Sequence, residues 1–235
     1  MESIRFPYYS GRSGDELTYR VNKGLLVVFD FFNNNVSQDN DYFELIKYFK
    51  ELNFGTESYN VSCRENFITK CSELASCNKI QDYDCIVVLI SSIGDESSIN
   101  CNDRLIDLNE IIDLFNGKMS KISIQIPKIF FIQTCTGDEC DNVNFNSKTT
   151  SNIDIVKTLP SDANVLVAYS TTSCKQNSWF IECLLAVFKE YSKKEDLLTM
   201  LTRVNREMYS MYMYDEDEKM ISSQISQLTY KVFIN

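Results

Sequence analysis

The 235-residue sequence contains no histidine. That absence removes the one side chain whose ordinary pKa lies near neutrality. Mechanisms needing an imidazole base, proton shuttle or metal ligand are therefore excluded from the start. Proline occurs 3 times and glycine 7 times, too seldom for a collagen-like or low-complexity chain. Apolar runs are short: Leu25 to Val28 and Ile86 to Ile90 fall far below the roughly 20 residues that cross a bilayer, so no membrane partner is expected. Positive charge is scarce, with 23 Lys and Arg against 33 Asp and Glu and a net charge of −10. Nucleic-acid binding rests on clustered positive charge, so no nucleic-acid partner is expected either. The start, Met1-Glu-Ser-Ile-Arg-Phe-Pro7, has no apolar core of a secretory signal. What is present, 44% hydrophobic and 24% charged residues, is the mix of one domain large enough to bury a full core unaided.

Nine cysteines stand at 63, 71, 77, 85, 101, 135, 140, 174 and 183. An odd number cannot all pair internally, and no C-x-x-C spacing suggests zinc or redox chemistry. Reduced cysteines acting as small hydrophobes in a cytoplasmic protein are expected, with no metal and no cofactor. Along the chain, an irregular arm (1–23) precedes the run Leu25–Phe32, which reads as a strand buried on both faces. A helix is expected from Asp41, where Asp41-x-x-Glu44 has capping-box spacing, through Leu52. Further helices are expected over Phe67–Leu74, Asp107–Asn116 with Gly117 as its stop, Ser178–Tyr191 and about Glu195–Met211. Strands are expected over Cys85–Ile90, Ile129–Gln133, Asn164–Tyr169 and Ile225–Phe233. The polar stretch 138–162 reads as an exposed linker, and Asp215–Glu218 as a solvated acidic loop. Strands alternating with helices predict a mainly parallel sheet covered on both faces.

In such a sheet, chemistry collects beyond the carboxyl ends of the strands. Gln133-Thr-Cys135-Thr-Gly137 lies there, a candidate nucleophile followed by a glycine that lets backbone approach a substrate. Other segments accompany it: Lys23-Gly-Leu-Leu, Leu45–Phe54, Cys85–Ser91 and Asp107-Leu…Phe115-x-Gly117. Towards the end come Lys128-Ile-Phe-Phe-Ile-Gln-Thr-Cys135, Ala168-Tyr-Ser-Thr171, Ser178-Trp-Phe-Ile181 and Leu201-Thr-Arg-Val-Asn-Arg206. In this order, the chain resembles the caspase family over nearly its whole length. The resemblance implies an α/β fold, a three-layer α/β/α sandwich on an about six-stranded, mainly parallel central sheet. It implies a larger portion (24–137), a linker (138–162) and a smaller portion (163–235). Active relatives are cut after an aspartate in the linker, where this chain offers Asp138, Asp141, Asp154 and Asp162, with Asp154 between Ile153 and Ile155 expected to be the least exposed. It also implies a dimer formed by pairing the last strand, with Ile225, Leu228, Tyr230 and Val232 at the interface. With only a short arm before Gly24, the chain is expected to resemble the short-prodomain caspases rather than those with a recruitment domain.

The departures from the pattern concern chemistry. Active caspases place a histidine directly after the strand equivalent to Cys85–Ile90; here the segment reads Ser91-Ser92-Ile93-Gly94, so Ser92 or Ile93 occupies its position. Gly94 is the remnant of the oxyanion-stabilising turn. An ordinary thiol with pKa near 8.5 is only about 3% ionised at pH 7. Caspases grip an aspartate side chain with two arginines and a glutamine. Gln133 remains, but Asn35 stands near the first arginine's place, with no arginine between Arg20 and Arg64. The second arginine's loop has become Thr172–Asn177, with no arginine between Arg104 and Arg203, and Lys175 lacks the fork geometry. Trp179, which borders the substrate cleft in the family, is expected in the core or as a ligand-independent cap of the shortened loop, and Gln133 is expected to satisfy loop backbone.

The expected function is therefore that of a catalytically inactive caspase homologue, a pseudoenzyme, that regulates apoptosis by pairing with an active caspase. Two alternatives remain open: a residual cysteine endopeptidase using Cys135, and a homodimeric decoy that titrates caspase-inhibitor proteins.

Overall fold

The computed structural model describes residues 17–31, 40–94, 98–116, 120–136, 163–173, 179–212 and 222–234. The strands in chain order are β1 (Thr18–Val21), β2 (Gly24–Asp30), β3 (Gly55–Asn60), β4 (Cys85–Ile93), β5 (Ser98–Asn100) and β6 (Leu105–Asp107), followed by β7 (Lys128–Thr136), β8 (Val165–Ser173), β9 (Ser223–Ser226) and β10 (Lys231–Ile234). The helices are α1 (Asn40–Glu51), α2 (Arg64–Ser76), α3 (Leu108–Asn116), α4 (Trp179–Tyr191) and α5 (Leu197–Tyr212). Six strands form the central sheet in the order β3-β2-β4-β7-β8-β9. All its pairings are parallel except β9 on β8, which is antiparallel.

Side chains alternate across a strand, and here both faces are apolar. Leu26, Val28, Val87, Leu89, Ile129, Phe131, Leu166 and Ala168 face α1, α4 and α5, where Phe49, Phe180 and Phe188 complete one core. Leu25, Val27, Phe29, Ile86, Val88, Ile90, Phe130 and Ile132 face α2 and α3, where Phe67, Ile111 and Phe115 complete the other. Each such fully buried large side chain contributes about 1.5–3 kcal/mol. The two cores lock the sheet register from both sides, because slipping any central strand by one residue would exchange its two faces. This is the three-layer α/β/α sandwich expected from the sequence.

Helix starts follow local chemistry. Asp107 accepts a hydrogen bond from the Asn109 N–H at 2.7 Å, capping α3, while Glu110 pairs with Arg64 instead of reaching back to the cap. Asp196 caps α5 through the Leu198 and Thr199 amides at 3.2 and 3.3 Å and the Thr199 hydroxyl at 2.6 Å. At α1, Glu44 is drawn to Lys47 and Lys189. Gly117, the linker and the acidic loop lie outside the described residues.

Two elements differ from expectation. The arm is not wholly irregular: β1 pairs in parallel with β10, Tyr19 stacks on Tyr230 at 4.8 Å, and the Tyr19 hydroxyl donates to the Asp84 carbonyl. The expected last strand, Ile225–Phe233, is divided between two sheets. Asn164 causes the break. Its side-chain oxygen accepts from the Thr229 N–H and hydroxyl at 3.1 and 2.7 Å, and its N–H donates to the Gln227 carbonyl at 2.9 Å. The chain is thereby turned out of the main sheet and onto β1. Strand β3 escaped the reading because Gly55-Thr-Glu-Ser-Tyr-Asn60 is polar, as suits a sheet edge.

All seven described cysteines are free, and five of them are buried. Burial pushes the Cys101 and Cys183 thiols up to about 12 from an ordinary 9.0, and raises Cys71 and Cys85 strongly as well. A thiol held protonated in the fold contributes stability that is intact below pH 9 and lost as pH climbs through its raised pKa. The unfolding midpoint should therefore fall progressively between pH 9 and pH 12, which thermal scans at stepped pH will read. Iodoacetamide at pH 8.5 should modify exposed Cys77 in the native protein and reach Cys71, Cys85, Cys101 and Cys183 only after unfolding.

Candidate functional site

Four parallel strands end side by side at one edge of the central sheet, and their register fixes which residues are neighbours. Asp30 lies opposite Ser91, Ser91 opposite Gln133, and Gln133 opposite Ser170. One position on, Ser92 meets Thr134, and two positions on, Ile93 meets Cys135. The twofold strand period puts Gln133 and Cys135 on the face of α1, α4 and α5, in line with Ile129 and Phe131. Cys135 is largely covered, at 9% exposure. Its register neighbour across β4 is the apolar side chain of Ile93.

Ser92 is directed to the opposite face. Its hydroxyl is buried and donates to the carbonyls of Asn100 at 2.8 Å and of Ile93 at 3.0 Å. Gly94 already spends its N–H on the Cys135 carbonyl at 3.1 Å and pairs with Ile99, so this amide joins strand ends. A Cβ at Gly94 would sit 2.3 Å from the Ser98 carbonyl oxygen and 3.0 Å from the Ile99 Cα, so only glycine permits this backbone approach.

A network not anticipated from the sequence stands behind the site. Asn102 adopts φ of 70°, a left-handed conformation that asparagine tolerates, and its N–H donates to the Asn100 side chain at 2.9 Å. Its side-chain amide donates to the carbonyls of Phe31 at 3.2 Å and Val61 at 2.9 Å. The ends of β2, β3 and β4 are thus tied to the β5–β6 hairpin through Asn100 and Asn102. The only sequence signal was the Asn-x-Asn pair inside a short polar stretch between two apolar segments.

Other expected site residues separate. Gln133 is buried, and its Oε1 has no hydrogen-bond partner. Trp179 opens α4 and packs, partly buried, on the core. Ile225 sits half-buried in β9 opposite Val167, on the outermost strand of the sheet. Leu228 packs on the core from the β9–β10 connection. Tyr230 stacks on Tyr19 and donates to the Gln125 carbonyl, and Val232 is buried in β10 opposite Tyr19. Those two are engaged with the chain's own β1, whereas Ile225 stands on the edge strand β9. Asn35 and Asp154 lie outside the described residues. Among the described residues no cluster of acidic and thiol side chains is placed to hold a metal ion, and no helix is long and apolar enough to cross a membrane.

A thiol thus stands at the carboxyl edge of the parallel sheet of an α/β protein, enclosed by helical layers on both faces. The Peptidase C14 caspase-domain model matches residues 25–233, and the chain belongs to the caspase family. It is 32% identical over 209 residues to caspase-3 of Mesocricetus auratus, covering 83% of this chain and 75% of that protein. Caspase-7 of Gallus gallus is 29% identical over 215 residues, covering 83% of this chain and 69% of that one. A solved structure of pro-sf-caspase-1 superposes with a TM-score of 0.70 at 20% identity, covering 90% of this chain and 94% of that one.

Gly94→Ala should cost about 1–3 kcal/mol, since the clash is with backbone that cannot step aside. Ser92→Ala should cost about 1 kcal/mol through the lost bond to the Asn100 carbonyl. Urea unfolding of the two variants beside the parent measures both.

Proposed function

We propose that this caspase-family chain is catalytically inactive and acts as a regulatory partner, pairing through β9 with an active caspase. One observation carries the reading: the family's scaffold is kept in a chain with no histidine. Without an imidazole, nothing of matched pKa takes the proton from the Cys135 thiol or returns one to a leaving amine. That assistance is typically worth about 10²–10⁴-fold. The stretches around Asn35 and Thr172–Asn177 also lack arginine, so an aspartate side chain would enter without its fork-shaped counter-charges.

The pairing surface rests on topology. Among the described residues, β9 is hydrogen-bonded on one side only, to β8, and its sequence Ser-Gln-Ile-Ser carries no charge to discourage a partner strand. Such an edge is adhesive by default. The free thiols support a reducing, cytoplasmic setting. A second reading, slow hydrolysis through Cys135, draws on the thiol's place at the carboxyl edge of the sheet.

Mixing the chain with an active caspase from the same source, followed by native mass spectrometry and peptide turnover, tests the proposal. A one-to-one complex and altered turnover are expected, with the direction of change giving activation or inhibition. Ile225→Asp should weaken the complex by about tenfold or more. Two separate species with unchanged turnover would refute the pairing.

A further inference from the structure

Helix α5 turns an apolar stripe to the core through Leu197, Met200, Leu201, Val204 and Met208, all fully buried. Met211 continues the stripe into the last turn of the helix, where it packs on the core only half-buried. Among the described residues it is the one methionine that solvent touches.

The thioether is engaged on its inner side. The Cys183 thiol of α4 donates to the Met211 Sδ at 3.6 Å, and Cys183 is itself 2% exposed. Burial pushes that thiol up to about 12, so it keeps its proton at neutral pH and remains a donor. The contact is a weak latch between the last turn of α5 and the start of α4. Trp179, the chain's single tryptophan, lies one turn before Cys183 on the same face of α4 and packs on the same core.

A thioether reacts with peroxide without first losing a proton. A sulfur lone pair takes one oxygen atom from hydrogen peroxide, the O–O bond breaks and water leaves; the sulfur gives up two electrons and the peroxide accepts them. The product is a polar sulfoxide where the side chain was apolar. Such a group is best satisfied by water, which at this helix end lies on the side away from buried Cys183.

We propose that Met211 is a site of oxidation by peroxide, and that its sulfoxide breaks the contact with Cys183 and releases the last turn of α5 from α4 beside Trp179. This goes beyond the pairing at β9 and depends neither on it nor on Cys135.

The test uses the full chain alone, so its outcome is separate from that of the mixing experiment. The protein is treated with hydrogen peroxide and then with dithiothreitol, which returns disulfides and sulfenic acids to thiols and leaves methionine sulfoxide in place. By peptide mass mapping, Met211 should gain its oxygen about tenfold or more faster than Met200 and Met208. Trp179 emission should shift to the red in step with that gain. Met211→Leu, close in volume, should keep the parent emission and lose the peroxide response, whereas Met211→Gln, polar without oxidation, should be red-shifted from the outset. Met200 or Met208 oxidised as fast as Met211, unchanged emission once Met211 is fully oxidised, the same red shift in Met211→Leu, or parent-like emission from Met211→Gln would overturn the proposal.

Discussion

Strands β4 and β7 run in parallel with Ser91 facing Gln133 and Ile93 facing Cys135, and this register fixes which side chains meet at the carboxyl edge of the sheet. It cannot slip by one residue, because Val87 and Leu89 fill one core while Ile86, Val88 and Ile90 fill the other. Packing thus holds a thiol beside an isoleucine. The same packing sends Ser92 to the opposite face, where its hydroxyl serves the β5–β6 hairpin. The caspase scaffold is maintained by two apolar layers, in a chain that contains no histidine.

Most of the fold was legible because buried parallel strands and amphipathic helices leave strong patterns. Cys85–Ile90 and Ile129–Gln133 read as strands, and the stripe of Leu108, Ile111, Ile112 and Phe115 marked α3, because each pattern reports burial directly. The failures have physical reasons. Strand β3 is polar because it is an edge. The expected last strand was divided because Asn164, more than sixty residues away in sequence, holds Gln227 and Thr229 in a turn that local alternation cannot reveal. Strand β1 exists only because β10 arrives beside it, with Arg20 over the Phe233 ring and Lys231 bonded to the Leu17 carbonyl.

The site was legible in part. The strand-end position of Gln133 and Cys135 was readable from the apolar run before them, and β7 places them there. Asn100 and Asn102 were not, because their role lies in carbonyls they reach across the fold, at Phe31 and Val61. Nor could a linear reading place Asp30 and Ser170 in one row with Gln133, since that neighbourhood is created by strand order. Nor could it show that Tyr230 and Val232 engage β1, since that pairing joins the two ends of the chain.

Turnover through the thiol is the most direct measure of the account. Purified protein and its Cys135→Ala variant, incubated with Asp-terminated and mixed fluorogenic peptides, should release fluorophore at the same background rate. A rate in the ordinary peptidase range that vanishes in the variant would contradict the account.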